Sequence, residues 1–72
     1  MNILIFKTDI KTPHKIKVLM PILNNHANIV TWSVDTEDID NVLRVEASGD
    51  LSENDIILLI KNQGLYCEAL PD

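Results

Sequence analysis

The stretch that decides the fold is residues 2–23, which read NILIFKTDIKTPHKIKVLMPIL. Its first six residues are mainly β-branched, aliphatic or aromatic, and a polar pair follows them, which is typical of a strand that runs into a loop. Thr12 and Pro13 then provide a helix N-cap and a first-turn proline. Behind them, apolar side chains recur at helical spacing up to Asn24: Ile16, Leu19, Met20 and Leu23. We therefore predict a strand, a loop and a helix, with a kink where Pro21 removes a backbone hydrogen bond.

Two further strands follow this unit. Residues 28–35 alternate the apolar Val30, Trp32 and Val34 with polar side chains, and residues 41–47 form a second run with strand character. The short acidic segment between the two runs is too brief for a helix and reads as a turn. We therefore predict a β-hairpin.

The last part of the chain predicts a helix and a short strand. Ser52 is a good N-cap for a helix over residues 54–63, and Gly64 is expected as the residue that ends it. Residues 65–70 form the final strand. The order βαββαβ predicts an α+β fold, the ferredoxin-like sandwich, in which an antiparallel four-stranded sheet of order 4-1-3-2 carries both helices on one face.

Length and composition limit the classes of protein that fit. With 72 residues and 8.1 kDa, we expect a single domain over residues 1–72 without a deep catalytic cleft. The 46% hydrophobic content argues against intrinsic disorder despite the net charge of −5. Cys67 is the only cysteine, so an internal disulfide is impossible. We recognise neither a secretory leader nor a membrane-spanning run, and expect a reducing, cytoplasmic location.

The charge is unevenly distributed along the chain. Residues 1–34 hold four lysines and one aspartate, a net of +3, whereas residues 35–72 hold ten carboxylates against one arginine and one lysine, a net of −8. The acidic total and the lack of aromatic side chains among the lysines argue against nucleic-acid binding. We expect no nucleic acid and no membrane among the partners.

The sequence resembles the heavy-metal-associated domain family, and in particular its small, stand-alone, copper-chaperone-like bacterial members. The similarity extends without gaps from Leu4 to Leu70. It is carried by Phe6-Lys7-Thr8-Asp9-Ile10 before the metal loop, Pro21 in the first helix, Trp32-Ser33-Val34-Asp35-Thr36 at the end of the second strand and Gly64-Leu65 before the last one. The resemblance implies the ferredoxin-like fold and a role in metal handling.

The metal loop departs from the family pattern. The resemblance implies two cysteines, three positions apart, that bind Cu(I) or another soft ion through their thiolates; these positions are Thr12 and Lys15 here. A threonine hydroxyl is a weak, hard ligand, and an ammonium group repels a cation. We therefore expect a degenerate site that binds no soft metal, and no cofactor.

His14 and Asp9 are the weak candidates for an altered metal site. His14 lies between the two degenerate positions, and Asp9 is close enough in sequence to join it in binding Zn²⁺ or Ni²⁺. One imidazole and one carboxylate fall short of the four ligands of a structural zinc site, and lysines flank the histidine. Weak transition-metal binding is the alternative to a metal-free function.

No constellation of residues indicates an enzyme. The sequence has no glycine-rich phosphate loop, no serine or cysteine with a plausible base, and no paired carboxylates that a pocket could hold. Cys67 alternates with polar neighbours in the last predicted strand and is interpreted as a small core residue. We therefore expect a non-enzymatic protein.

Two surfaces remain as candidates for binding a protein partner or a second copy. In the predicted topology the first loop, the acidic hairpin turn and the turn before the last strand lie at one end, which the resemblance implies is the docking end; its candidate residues are Lys7, Lys11, Lys15 and Leu65. The lysines favour an acidic partner. On the open face of the sheet, strand alternation turns four apolar side chains outward: Ile3, Ile5, Tyr66 and Leu70.

Overall fold

The computed structural model describes residues 2–71 and contains four strands and two helices. In chain order these are β1 Asn2–Thr8, α1 Pro13–Asn24, β2 Ile29–Asp35, β3 Val42–Ala47, α2 Glu53–Lys61 and β4 Cys67–Ala69. The strands form one antiparallel sheet of order β2-β3-β1-β4, which is the predicted 4-1-3-2 order viewed from the other edge. The ferredoxin-like α+β fold is confirmed. Neither helix in residues 2–71 is long and apolar enough to cross a membrane.

The core lies between the sheet and the two helices. Because β1 and β3 pair with Phe6 opposite Leu43 and Leu4 opposite Val45, these side chains share the face that the helices cover. The buried apolar set comes from β1, β3, β4, both helices and the loops that follow β1 and β3: Phe6, Ile10, Leu19, Leu23, Leu43, Val45, Ala47, Leu51, Ile56, Ile60 and Cys67. The opposite face of the sheet is left open.

Local signals in the sequence fix the helix ends. Thr12 is the N-cap of α1, and its Oγ1 accepts a hydrogen bond from the backbone N–H of Lys15 at 3.3 Å. Ser52 caps α2 in a reciprocal capping box with Asp55. At the other end of α2, Gly64 has φ +78°, which favours glycine. Helix α1 continues past Pro21 to Asn24.

The C-terminal strand is shorter than the sequence predicts. We predicted a strand over residues 65–70, whereas β4 covers Cys67–Ala69. The N–H of Leu65 bonds to the carbonyl of Ile60 at 3.4 Å and so belongs to the end of α2. The N–H of Tyr66 donates to the Asp9 carboxylate at 2.9 Å. These two residues use their backbone donors on a helix end and a loop, and the sheet pairing therefore begins later.

A β-bulge changes the predicted alternation in β2. The register with β3 shifts between Ile29 and Thr31, and regular pairing then continues to Asp35. Val30 lies at this irregularity and is 55% exposed, whereas the alternating pattern predicts that it shares a face of the strand with Trp32 and Val34. A bulge inserts an extra residue into one strand and so moves its side chain out of the alternating pattern.

Candidate functional site

Three connections meet at one end of the molecule, which we call the loop end: the β1–α1 loop, the β2–β3 connection and the α2–β4 turn. The backbone N–H of Thr8 donates to the carbonyl of Asp40 at 3.0 Å, and its Oγ1 donates to the carbonyl of Asn41 at 2.6 Å. The N–H of Tyr66 donates to Oδ1 of Asp9 at 2.9 Å. The β1–α1 segment is thus hydrogen-bonded to both of its neighbours.

The Lys15 ammonium group lies against the β1–α1 loop. Its Nζ donates to the backbone carbonyl of Asp9 at 3.1 Å and is 3.5 Å from the Asp9 Oδ2. The side chains of Lys15 and Asp9 are 35% and 37% exposed. Because Thr12 uses its hydroxyl oxygen to cap α1, both positions that the family resemblance assigns to metal ligands take part in helix or loop interactions.

The donor set at this loop does not fit a soft metal ion. Neither Thr12 nor Lys15 offers a thiolate, and a protonated amine adjacent to the site repels a cation. Asp9 already accepts one backbone N–H and lies beside one ammonium group, whereas His14 is exposed at the start of α1. Within residues 2–71, no group of three or more His, Cys, Asp or Glu side chains could hold a metal ion.

The predicted docking residues differ in whether their side chains already take part in contacts within the chain. Lys7 Nζ lies 3.6 Å from Asp40 Oδ1, so its charge, like that of Lys15, is balanced within the chain. Lys11 is exposed and forms no ion pair with any described residue. Leu65 is half-buried and packs against the core. Of the three predicted docking lysines, Lys11 is thus the one without an ion pair among the described residues.

The β2–β3 connection holds an exposed apolar side chain that sequence reasoning missed. Ile39 is 93% exposed. Asp35 Oδ1 accepts the backbone N–H groups of Glu37 and Asp38, and Asp38 Oδ1 accepts that of Asp40 at 2.8 Å. These hydrogen bonds fix the segment on both sides of the isoleucine. A lone isoleucine among acidic turn residues was the available signal, since turns are rarely apolar.

The open sheet face carries the four predicted apolar residues among charged ones. Ile3 is 39% and Tyr66 is 46% exposed, whereas Ile5 and Leu70 are half-buried. The register places Ile3 opposite Glu46 and Ile5 opposite Arg44, so charged side chains border the apolar group. A hydrogen bond from the Tyr66 hydroxyl to the Glu68 carboxylate raises the pKa of Tyr66. A role of this face in binding stays a prediction.

The only cysteine has no features of a reactive thiol. Cys67 is 2% exposed and pairs with Thr8 in the sheet. Burial raises the pKa of its thiol to about 11, so that the reactive thiolate is scarce at neutral pH. This placement agrees with its interpretation as a core residue.

No protein-family model and no curated protein sequence matches this chain. Solved structures do match its fold. A chain of the Atx1–Cu(I)–Ccc2a complex has a TM-score of 0.85 at 15% identity over 100% of this chain and 99% of that one. The yeast copper transporter domain Ccc2a, in its apo and Cu(I)-loaded states, has a TM-score of 0.83 at 15% identity, again over 100% and 99%.

A third similar structure is the apo form of the heavy-metal-associated domain of the copper chaperone for superoxide dismutase. Its TM-score is 0.80 at 16% identity, over 96% of this chain and 66% of that one. The chain therefore has the fold of the heavy-metal-associated domains of copper chaperones. At these identities the likeness defines the fold alone.

Proposed function

We propose that this chain is a non-enzymatic, heavy-metal-associated-like domain spanning residues 1–72 that has lost its soft-metal (Cu/Zn) site. It acts in the cytoplasm as a protein-interaction or accessory module in metal handling. The fold and the retained loop end support a docking role, and the chemistry of the β1–α1 loop argues against metal transfer by this chain itself.

The observation that carries this proposal is the contact of Lys15 with Asp9. The Lys15 ammonium group lies 3.1 Å from the carbonyl oxygen of Asp9 and 3.5 Å from its carboxylate Oδ2, so it engages two oxygen atoms of the loop that could otherwise bind a cation. A protonated amine has no lone pair of its own to offer a metal ion, and it replaces a position where the family resemblance implies a thiolate. Hydrogen bonds and an ion pair within the protein hold the loop, and docking on this proposal does not require a metal.

A partner would meet the loop end, where Lys11 and Ile39 are both exposed. Lys11 offers an unpaired positive charge among the described residues, and Ile39 offers an apolar side chain on a segment held by hydrogen bonds. An exposed apolar group on a preorganised segment loses little entropy when it is buried. The similar Atx1–Cu(I)–Ccc2a structure is a complex between two proteins, which makes a second domain of this fold a reasonable partner.

The test is a titration against the soluble domain of a metal-transporting ATPase, or a cysteine-bearing homologue, encoded beside this protein. Chemical shifts in an isotope-labelled sample should change at the loop end, and Lys11→Glu or Ile39→Ser should weaken binding about tenfold or more. Lys17→Glu is the matched charge control, because Lys17 lies on α1 and is not among the predicted docking residues.

Two outcomes would count against docking through the loop end. One is equal weakening by Lys11→Glu and Lys17→Glu, which would indicate a general charge effect. The other is a set of shift changes confined to Ile3, Ile5, Tyr66 and Leu70, which would assign binding to the open sheet face.

Weak binding of Zn²⁺ or Ni²⁺ through His14 and Asp9 is the competing function. The engagement of Asp9 by Tyr66 and Lys15 disfavours it. Calorimetric titration with each metal, repeated on His14→Ala, separates the two functions. Heat of binding that disappears in the variant would establish the metal-binding alternative.

A further inference from the structure

The two edges of the sheet differ in how they are protected against pairing with another chain. β4 is the edge strand on one side; it has three residues, its middle residue is Glu68, and Pro71 follows it closely. Short length, charge and proline are the usual means of protecting an edge. β2 is the other edge strand and has seven residues, without a proline and without a charge before Asp35.

An uncharged, partly apolar surface borders the β2 edge. Val30 is 55% and Met20 is 46% exposed, and Trp32 is half-buried. They line a depression of about 370 Å³ between α1 and β2, and every side chain that lines it is uncharged. The bulge protects only the start of β2, because pairing with β3 is regular from Thr31 to Asp35. Val30, Thr31 and Trp32 belong to the edge strand and also line the depression, so the two surfaces are continuous.

We propose that the β2 edge is a homodimer interface, in which β2 strands of two copies pair antiparallel about a two-fold axis at Trp32. The pairing joins two four-stranded sheets into one sheet of eight strands. It uses the side of the molecule formed by β2 and α1, and does not depend on the docking function proposed above.

A second copy fits this edge because the strand is complementary to itself. Antiparallel pairing centred on Trp32 places Val30 opposite Val34 and Thr31 opposite Ser33 of the second copy. Although each chain carries a net charge of −5, the paired residues 30–34 are uncharged, and each Asp35 is opposite Ile29 of the second copy. The two Asp35 carboxylates lie at opposite ends of the ladder, about 20 Å apart along the strand direction. Among the described residues, like charges thus do not face each other between the two paired β2 strands.

The direct test is sedimentation velocity of the wild-type protein from about 10 μM to about 1 mM, with Trp32 emission recorded across the same range. Trp32 is the only tryptophan, so its emission reports on this interface. We expect a monomer–dimer equilibrium and a concentration-dependent blue shift. A monomer at every concentration overturns the proposal.

Two double variants test the register. In the double variant Thr31→Lys with Ser33→Glu, the new lysine of each copy faces the new glutamate of the other copy. These two opposite-charge pairs should lower the dimer dissociation constant about tenfold at low salt. Thr31→Lys with Ser33→Lys places like charges there, and should raise it by at least as much. Within one chain Thr31 pairs with Glu46 and Ser33 with Arg44, so the Lys/Glu variant also suits its own β3 strand.

The same set of variants includes controls for folding and for the position of the interface. If the Lys/Lys variant fails to fold by far-UV circular dichroism, the Lys/Glu variant alone decides, because its dimer must be tighter and more sensitive to salt. Lys11→Glu should leave the dissociation constant unchanged, since Lys11 lies at the loop end. A dimer that responds to Lys11→Glu and to neither double variant assigns self-association to the loop end and overturns the β2 interface.

Discussion

The ammonium nitrogen of Lys15 lies 3.1 Å from the backbone carbonyl oxygen of Asp9 and 3.5 Å from its carboxylate Oδ2. The other carboxylate oxygen of Asp9 accepts the backbone N–H of Tyr66 at 2.9 Å. Asp9 therefore joins α1 on one side to the α2–β4 turn on the other. The loop end is held by polar contacts within the protein.

The first prediction concerns the relative weight of the two Asp9 contacts. Asp9→Ala removes both carboxylate contacts, with Lys15 and with the Tyr66 N–H, and should lower the free energy of unfolding by about 1–2 kcal/mol. Lys15→Met removes only the lysine contacts and should cost less than about 1 kcal/mol, because both side chains are more than one-third exposed. Asp9→Asn keeps an acceptor for Tyr66 and the backbone carbonyl for Lys15, and should therefore cost less than Asp9→Ala. Urea denaturation measures all three; a larger loss for Lys15→Met than for Asp9→Ala would reverse this order.

The second prediction concerns the end of α2. Gly64 has φ +78°, and a Cβ added there would meet no described atom within 4 Å. Gly64→Ala should therefore destabilise through backbone strain alone, by about 1 kcal/mol. Gly64→Asn should cost less, since asparagine tolerates this region better. Thermal unfolding compares the variants, and equal losses for alanine and asparagine would argue against strain as the cause.

The third prediction follows from the buried thiol. Because burial raises the pKa of Cys67 from 9.0 to about 11, the folded protein retains this proton at pH values where the unfolded chain has lost it. The unfolded state then binds fewer protons, so the contribution of Cys67 to stability is full below about pH 9 and declines as the pH rises toward about 11.

Cys67→Ala isolates this contribution from the other groups that titrate in alkali. As the pH rises from about 9 to about 11, the wild type should lose unfolding free energy relative to the variant. A difference that stays constant would show that the thiol titrates equally in both states. Thiol reagents at neutral pH should modify the unfolded chain much faster than the native one.

The fourth prediction concerns Ile39. With 93% of its surface exposed, it buries almost nothing on folding, so Ile39→Ser should change the free energy of unfolding by less than about 0.5 kcal/mol. Ile60→Val removes one methylene from a fully buried position and should cost about 1 kcal/mol. Denaturant unfolding compares the two. A substantial loss for Ile39→Ser would mean that the isoleucine supports the fold rather than a binding surface.

Much of the fold follows from local signals in the sequence. Thr12, Ser52 and Gly64 define helix ends through their own backbone and side-chain chemistry, so the sequence predicts them directly. The strand order follows from the βαββαβ sequence of elements and the handedness of their connections. These features need no knowledge of distant contacts.

The features that the sequence did not predict depend on tertiary contacts. β4 begins late because Tyr66 donates its N–H to Asp9, which is 57 positions away in the chain. Val30 is exposed because the register between β2 and β3 shifts beside it. At the loop end, the pairing of Lys7 with Asp40 appears only once the first strand and the hairpin turn are adjacent. Residue type alone gave three candidate lysines, and these contacts distinguish Lys11 from the others.

The most direct test of the proposal that this chain binds no soft metal is a Cu(I) competition titration against a coloured chelator, with wild type compared to the double variant Thr12→Cys and Lys15→Cys. We expect wild type to leave the chelator complex intact and the double variant to withdraw one equivalent of Cu(I), because soft thiolates replace a hydroxyl and an ammonium group. Stoichiometric withdrawal of Cu(I) by the wild-type protein would show that the chain retains a soft-metal site.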